Sequence, residues 1–223
     1  MPPDRPHTIL KVLIGSQAHG LAGPESDADY RSVFVIPTEQ MFQLGFKPPG
    51  TRMAKGLEDE TSWEVAPFLT LATNCHPLML ETLVAPVVTA DSWGSDLRAL
   101  LPALWSPHRA YEAYLGYASN QRRKFLDKKD GRPAKYAVAY LRTLYNLCEL
   151  LEFGTLTLRV IDTPIGRTLA DIKGGAIRTG EVIDLADYWT EECTKRLAAC
   201  RHEPNPKAVD DYLIRLRRAF LQQ

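Results

Sequence analysis

Two aspartates, Asp27 and Asp29, follow a glycine-rich loop in the segment Gly15–Arg31, GSQAHGLAGPESDADYR. Carboxylates one residue apart in an extended strand project from the same face of that strand. Such a pair repels unless a cation lies between its members, and carboxylate oxygens together with phosphates are ligands that magnesium prefers. The spacing therefore predicts a site for Mg²⁺ or Mn²⁺ that performs phosphoryl transfer, with Asp27 and Asp29 as catalytic metal ligands.

The loop before the aspartates has the composition of an anion-binding turn. Leu10–Gly15, LKVLIG, is an apolar run typical of a buried strand, and it stops at Gly15 and Ser16. Glycine lets the backbone approach a phosphate closely, and the serine hydroxyl hydrogen-bonds the same anion. We expect Gly15 and Ser16 to bind the outer phosphates of a nucleotide. His19 either contacts a phosphate or caps the turn, and we favour the turn.

A third carboxylate is expected in the segment Gly56–Val65, GLEDETSWEV, which contains four acidic residues. If this segment is a strand, Asp59 shares a face with Trp63, which then serves as a buried anchor beside a site-facing acid. We select Asp59 as the third catalytic residue and metal ligand, with Glu60 as the alternative. The other interpretation is a solvated acidic turn before a helix N-terminus, where carboxylates are favoured by the helix dipole.

Basic residues suited to a triphosphate occur later in the chain. Apolar residues recur at three- and four-residue intervals from Pro133 to Phe153, which predicts a core helix. Lys135 and Arg142 are two helical turns apart on one side of it, so we expect both to bind the nucleotide, with Arg31 balancing charge. Unbound surface charge is the alternative. The basic segment QRRKFLDKKDGRP either faces phosphate or is a solvated helix end.

Three motifs carry a family resemblance: GSQAHGLAGPESDADYRSV, a carboxylate before an amphipathic helix, and NCHPLMLETL. They resemble the DNA polymerase beta superfamily of nucleotidyltransferases, and within it the predicted RNA-repair group associated with RNA ligases. That group has a Lys-His-Arg pattern in which Lys135 and Arg142 fit, while Ala139 replaces the histidine and removes any role for it. Its Leu-x-x-Ile-Lys-x-Gly pattern is matched by LADIKGG, which adds Lys173 to the nucleotide-binding residues.

The resemblance implies a reaction and its partners. A nucleoside monophosphate is transferred from an NTP to an acceptor hydroxyl, and pyrophosphate is released. An RNA end is the implied acceptor and an RNA-processing protein the implied partner, while a protein hydroxyl or a small molecule remains open as acceptor. Two other classes are a nucleotide sensor or antitoxin-like regulator without turnover, and a phosphatase with an Asp-x-Asp nucleophile. The phosphatase needs that motif directly after the first strand, whereas here a serine-bearing loop intervenes.

Composition excludes several broad classes. The 223 residues are 45% hydrophobic, enough for a sizeable core, and the 27 basic and 27 acidic residues cancel, so no global field attracts a polynucleotide. Apolar stretches are shorter than a membrane span and no signal-peptide core is present, so we expect a cytoplasmic protein with no membrane contact. We expect the four cysteines to be reduced thiols; a zinc site from Cys193, Cys200 and His202 is a less favoured alternative.

Strand patterns and acidic residues are concentrated before about residue 65, and helical patterns occupy most of the remaining chain. We therefore predict an α+β fold, with a small mixed-sheet nucleotidyltransferase core in residues 1–90 and a helical region in 91–223 that completes the cleft. The predicted helices are Phe68–Thr73, Leu78–Val84, Asp96–Trp105, His108–Lys128, Pro133–Phe153, Asp184–Ala199 and Pro206–Phe220.

Overall fold

The computed structural model describes residues 6–24, 26–47, 49–54 and 59–221. Within these ranges the chain forms a mixed five-stranded sheet and ten α-helices, as the sequence predicts for an α+β protein. The strands are β1 (His7–Ile14), β2 (Asp29–Val35), β3 (Arg52–Ala54), β4 (Asp59–Glu64) and β5 (Val87–Ala90). The helices are α1 (Gly15–Ala18), α2 (Val65–Thr73), α3 (Pro77–Val84), α4 (Ser92–Ala99), α5 (Leu101–Leu104), α6 (Pro107–Leu126), α7 (Pro133–Phe153), α8 (Gly166–Lys173), α9 (Thr179–Ala199) and α10 (Pro206–Ala219).

The strand order is β3-β4-β2-β1-β5. β2 and β4 are parallel, whereas β1 is antiparallel to both β2 and β5, and β3 is antiparallel to β4. The parallel register pairs Asp29 with Asp59, and Val33 with Trp63. Paired residues of neighbouring strands project from the same face of the sheet. Asp29 and Asp59 form a polar pair at the start of this ladder, and Val33 and Trp63 form a buried pair further along it.

The alternation argument for Asp27 was wrong, because the strand begins at Asp29. Ile14 is the last residue of β1 and pairs with Asp29. Gly15 then turns the chain away with φ of +71°, a conformation that glycine adopts without steric cost, so no partner strand remains beyond this pair. Asp27 therefore lies in the connection before β2, where its side chain is exposed and no strand geometry fixes its direction.

The main hydrophobic core lies between the sheet and the helices, and it includes residues from both sides of residue 90. Its members include Val12, Val33, Trp63, Phe68, Leu83, Leu147 and Tyr212. A second cluster joins the loop after α1 to α7, α8 and α9, and it includes Leu21, Leu141, Leu144, Leu169 and Val182. The helical region thus packs against the sheet side that carries Asp29, and the boundary between residues 90 and 91 stays a prediction.

Most predicted helices agree with the structure to within a few residues. The predicted helix Asp96–Trp105 is instead divided between α4 and α5, and Pro102 in the first turn of α5 has no N–H to continue α4. The sequence pattern did not reveal β5, a short exposed strand at the sheet edge beside β1. Among the described residues, no helix is both long enough and apolar enough to span a bilayer.

The four cysteines are free, as their spacing predicts. Cys148 and Cys193 bring α7 and α9 together in the core, with their Sγ atoms 2.7 Å apart. Burial of Cys193 among apolar side chains, away from solvent, gives no support to a zinc site with Cys200 and His202.

Candidate active site

Asp29 and Asp59 form the centre of the site. They lie side by side at the first positions of the parallel strands β2 and β4. Asp29 is half-buried and Asp59 is exposed, so both carboxylates are accessible from solvent. A cavity of about 130 Å³ opens beside them, lined by Ile14, Asp29, Tyr30, Met53, Asp59, Glu60 and Thr61. Parallel pairing of two strands that are distant in sequence therefore creates the acidic pair.

The charges around Asp29 identify the groups that face it. Burial raises the pKa of Asp29, and the negative charges of Asp59 and Asp27 raise it further. The positive charges of Lys135 and Arg31 act in the opposite direction. Lys135 lies near the start of α7 with an exposed side chain, so helix α7 presents a cation to the carboxylates. Asp27 contributes its charge from the preceding connection.

Gly15 closes one side of the acidic pair. A Cβ atom at this position would collide with Oδ2 of Asp29, and φ of +71° adds a second reason for glycine. The Asp29 carboxylate thus occupies the space that a side chain would need. Ser16 follows at the start of α1, half-buried, and within the described parts of the chain its hydroxyl makes no hydrogen bond. That hydroxyl is available to an anion beside the carboxylates.

Glu60, the alternative third carboxylate, also lines the small cavity, but its carboxylate is held on the opposite face of the sheet. Its carboxylate accepts a hydrogen bond from Ser32 Oγ at 2.5 Å and pairs with Lys11 Nζ at 3.0 Å. Burial disfavours its charge, but these two contacts outweigh burial and lower the pKa of Glu60. Of the two candidates, only Asp59 shares a face with Asp29.

Arg31 and Arg142 are held in a buried cluster rather than at the protein surface. The Arg142 guanidinium donates to Oε1 of Glu81, and Arg31 Nη1 lies 3.7 Å from Oε2 of the same carboxylate. Arg31 also donates to the carbonyl oxygen of Leu78 at 2.8 Å. Burial disfavours the ionised form of Glu81, but the two arginines lower its pKa. Two positive charges against one negative leave an excess positive charge beneath Asp29.

His19 belongs to the same buried cluster. Burial, reinforced by the charges of Arg142 and Arg31, lowers the pKa of His19 to about 3, so the ring is neutral at physiological pH. Its Nε2 atom is buried and has no hydrogen-bond partner among the described residues. Its backbone N–H donates to the carbonyl oxygen of Gly15, which is the turn-capping role favoured from sequence.

Sequence reasoning missed Glu81. The signal was present in NCHPLMLETL, because a single acidic residue stands within an apolar helix at a position facing the core. A buried carboxylate in such a helix needs cationic partners, and Arg31 and Arg142 are those partners.

Lys173 supports the loop after α1. Its ammonium group donates to the carbonyl oxygen of Leu21, which joins the end of α8 to the loop that carries Gly20 and Gly23. The four predicted cations therefore occupy three environments. Lys135 is open to solvent, Arg31 and Arg142 are buried with Glu81, and Lys173 holds a loop.

Two carboxylates at the site suit a divalent cation, but the described residues do not form the group of three metal ligands that the sequence predicts. Within the described ranges, no three His, Cys, Asp or Glu side chains are grouped closely enough to hold a metal ion. Mg²⁺, however, is usually held by one or two carboxylates together with substrate phosphates and water. The facing carboxylates of Asp29 and Asp59 supply such a pair of hard oxygen ligands, and Asp27 lies outside it.

A larger cavity of about 680 Å³ lies elsewhere, at the C-terminal ends of α7 and α9. Its lining shares no residue with the acidic site. Arg196, on its wall, is paired with Glu152 and Glu192 at 2.7 and 2.8 Å, so its charge is already compensated. We take the smaller cavity as the candidate active site, because Asp29 and Asp59 line it.

Two known proteins are similar to this chain. The chain is 27% identical over 138 residues to an uncharacterized 38.9 kDa protein in the nrdC-mobD intergenic region of Enterobacteria phage T4, covering 53% of this chain and 38% of the phage protein. A crystal structure of a nucleotidyltransferase-like protein from Exiguobacterium sibiricum 255-15 aligns over 96% of this chain and 74% of that protein, with 10% identity and a TM-score of 0.31.

The family assignment comes from a match over residues 4–161, which include the glycine loop, all three predicted carboxylates, Glu81 and α7. This match covers well over half of the 223 residues. The chain therefore belongs to the RNA repair pathway DNA polymerase beta family, RlaP.

Proposed function

We propose that this protein is a metal-dependent nucleotidyltransferase that moves a nucleoside monophosphate from an NTP to an acceptor hydroxyl and releases pyrophosphate. The observation that carries the proposal is the pairing of Asp29 with Asp59 beside Gly15, in a chain of the DNA polymerase beta family. In the reaction, the acceptor oxygen forms a bond to the α-phosphorus. The bond from that phosphorus to the β-phosphate oxygen breaks, and the hydroxyl proton leaves to solvent.

Asp29 and Asp59 would hold Mg²⁺ or Mn²⁺, and Asp27 would add negative charge from the preceding connection. When bound, the cation would lower the pKa of the acceptor hydroxyl and stabilise charge on the leaving pyrophosphate. The raised pKa of Asp29 supports this role, because a carboxylate destabilised by burial and by Asp59 gains most from a cation.

The outer phosphates of the NTP bind next to the carboxylates. The Ser16 hydroxyl hydrogen-bonds a phosphate oxygen, and Gly15 keeps the backbone close enough for that contact. Lys135 is the exposed cation that faces Asp29, so it neutralises phosphate charge directly.

Arg31 and Arg142 act on the nucleotide from within the protein. Glu81 compensates one of their two charges, so the cluster favours anions at the surface above it through an unpaired positive charge. Lys173 acts on the nucleotide indirectly, because it fixes the loop that follows Ser16. An RNA end is the acceptor that the family supports, with an RNA-processing protein as the partner that presents it.

The test is transfer of label from each of the four α-³²P-labelled NTPs to a mixed RNA pool in the presence of Mg²⁺ or Mn²⁺. We expect labelled RNA with at least one NTP, and no label with Asp29→Asn or Asp59→Asn. Glu60→Gln is the matched control, since Glu60 is adjacent in sequence to Asp59 and lies on the opposite face of the sheet. It should retain transfer.

Two results would contradict the proposal. Equal transfer by Asp29→Asn removes the acidic pair from the mechanism. NTP and metal binding without transfer to RNA, protein or small-molecule acceptors would instead support a regulatory nucleotide-binding protein.

A further inference from the structure

The connection between α6 and α7 concentrates positive charge that the rest of the chain lacks. The whole sequence has a formal net charge of zero. Residues 122–135 nevertheless contain seven basic and two acidic residues, a net charge of +5. The basic residues are Arg122, Arg123, Lys124, Lys128, Lys129, Arg132 and Lys135. We call these seven residues the basic turn. Because the whole chain is neutral, the residues outside this segment have a net negative charge.

The basic turn is open to solvent and poorly compensated. All of its basic side chains except Lys124 are exposed. Its one ion pair among the described residues joins Arg132 to Asp130 at 3.8 Å. Two exposed lysines on other helices have closer carboxylate partners, Lys195 with Glu192 at 2.8 Å and Lys207 with Asp211 at 2.5 Å. Among the residues that the structure describes, several charges of the basic turn therefore have no carboxylate within ion-pair distance.

The backbone of the basic turn adopts an uncommon conformation. Lys128 and Asp130 have φ of +47° and +55°, in the left-handed region that residues other than glycine rarely adopt. Asp130 accepts a hydrogen bond from the Tyr136 hydroxyl at 2.9 Å, and this contact ties the turn to α7. The exposed lysines are thus carried on a compact turn rather than on an extended loop.

The basic turn reaches the candidate active site at its C-terminal end. Lys135, its last member, faces Asp29, and Arg132 is the residue immediately before α7. A polyanion whose end reaches Asp29 and Asp59 would therefore meet Lys135 first and the rest of the turn next. Tyr136 adds a partly exposed ring that Lys124 Nζ approaches to 5.6 Å from the centroid. Cations interleaved with an aromatic ring favour a polynucleotide over an acidic protein, because bases stack on such rings.

We propose that the basic turn is the docking surface for the phosphodiester backbone of a single-stranded polynucleotide whose end enters the acidic site. The polynucleotide's role as the acceptor rests on the proposed transferase function. Binding itself requires neither NTP nor turnover, so it is measured separately from transfer.

The experiment is fluorescence anisotropy of a labelled, unstructured 20-nucleotide RNA with the full chain, over a series of salt concentrations. A matching DNA strand distinguishes the two polynucleotide sources. Each phosphate contact to a single strand contributes about −0.7 to the slope of log K against log salt. The double variant Lys128→Gln/Lys129→Gln should therefore weaken binding and make the slope shallower by about 1.4.

The control variant is Lys195→Gln/Lys207→Gln, which removes the same charge from exposed lysines on α9 and α10. It should bind RNA as the wild type does. Both double variants change exposed side chains, so their melting temperatures should match the wild type.

The inference is overturned if the wild type binds neither strand, if the two double variants weaken binding equally, or if poly-glutamate binds more tightly than RNA. If the wild type transfers no nucleotide and the Lys128→Gln/Lys129→Gln variant loses RNA binding, the docking surface is supported and the transferase function is rejected. If the wild type transfers nucleotide to a small acceptor but does not bind RNA, the transferase function is supported and the docking surface is rejected.

Discussion

Asp29 and Asp59 are register partners on two parallel strands, and their carboxylates project from the same face of the sheet. Gly15 lies against Asp29, because the space for a Cβ at that glycine is filled by the Asp29 carboxylate. The next residue on β4, Glu60, projects to the other face and pairs with Lys11. One strand therefore carries two adjacent acids with opposite environments, and this contrast provides matched controls.

Asp29→Asn should raise the free energy of unfolding of the metal-free protein at neutral pH. The pKa of Asp29 is raised above its ordinary value, so the folded state prefers the protonated form and ionisation at neutral pH destabilises it. The gain should disappear as pH falls below 3.8, where the carboxyl is protonated in both states. Urea unfolding at pH 7 and pH 3.5 measures it.

Glu60→Gln should have the opposite effect in the same experiment. The pKa of Glu60 is lowered by Ser32 and Lys11, so its ionised form stabilises the fold above the ordinary value of 4.5 and the effect is lost as pH falls. A stability gain in Glu60→Gln, or a loss in Asp29→Asn, would contradict the assigned environments.

Gly15→Ala should destabilise the fold by about 1–2 kcal/mol through its left-handed backbone alone. It should also displace the Asp29 carboxylate and weaken binding of a metal–nucleotide complex. Gly23→Ala is the control, because an added Cβ there meets no atom within 4 Å. Its stability should stay within about 0.5 kcal/mol of the wild type. Equal stability of the two variants would mean that Gly15 does not confine Asp29.

Glu81→Ala should lower the free energy of unfolding by about 3–5 kcal/mol, because it leaves two buried guanidinium groups without their carboxylate. Asp211→Ala breaks an exposed pair with Lys207 and should cost less than about 1 kcal/mol. Chemical unfolding of both variants measures the difference. A small cost at Glu81 would show that Arg31 and Arg142 do not depend on it.

His19 should make the fold sensitive to acid. Its pKa is lowered from 6.5 to about 3 in the folded state, so the neutral ring stabilises the fold above pH 6.5 and this contribution is lost as pH falls. The full loss would be on the order of 5 kcal/mol below both values. His19→Gln should flatten the pH dependence of unfolding between pH 6.5 and 4.5.

The exposed His108 supplies the control for this pH series. His108→Gln should keep the wild-type pH dependence. If both variants behave as the wild type does, the neutral buried state of His19 is wrong.

The sequence was informative wherever a local pattern determined the structure. Apolar periodicity predicted α7 from Pro133 to Phe153, and these are its bounds in the structure. Alternation predicted that Asp59 and Trp63 share a face, and β4 has that geometry with Trp63 in the core. Both outcomes depend on interactions within one element.

Contacts between elements that are distant in the sequence could not be predicted from local patterns. The parallel pairing of β2 with β4 decides which acid lies beside Asp29, and no local pattern encodes that register. The position of Asp27 depended on where β1 ends, because the ladder needs a partner strand. The spacing of Lys135 and Arg142 placed both on one side of α7. It could not reveal that Arg142 pairs with Glu81 of α3 in the protein interior.

The central claim is that Asp29 and Asp59 together hold a cation with its nucleotide, and Mn²⁺ binding tests it most directly. Electron paramagnetic resonance titration of Mn²⁺ with a non-hydrolysable NTP analogue should show one complex in the wild type and in Glu60→Gln. Asp29→Asn and Asp59→Asn should each weaken that complex at least about tenfold. Wild-type Mn²⁺–nucleotide affinity in Asp59→Asn would contradict the account.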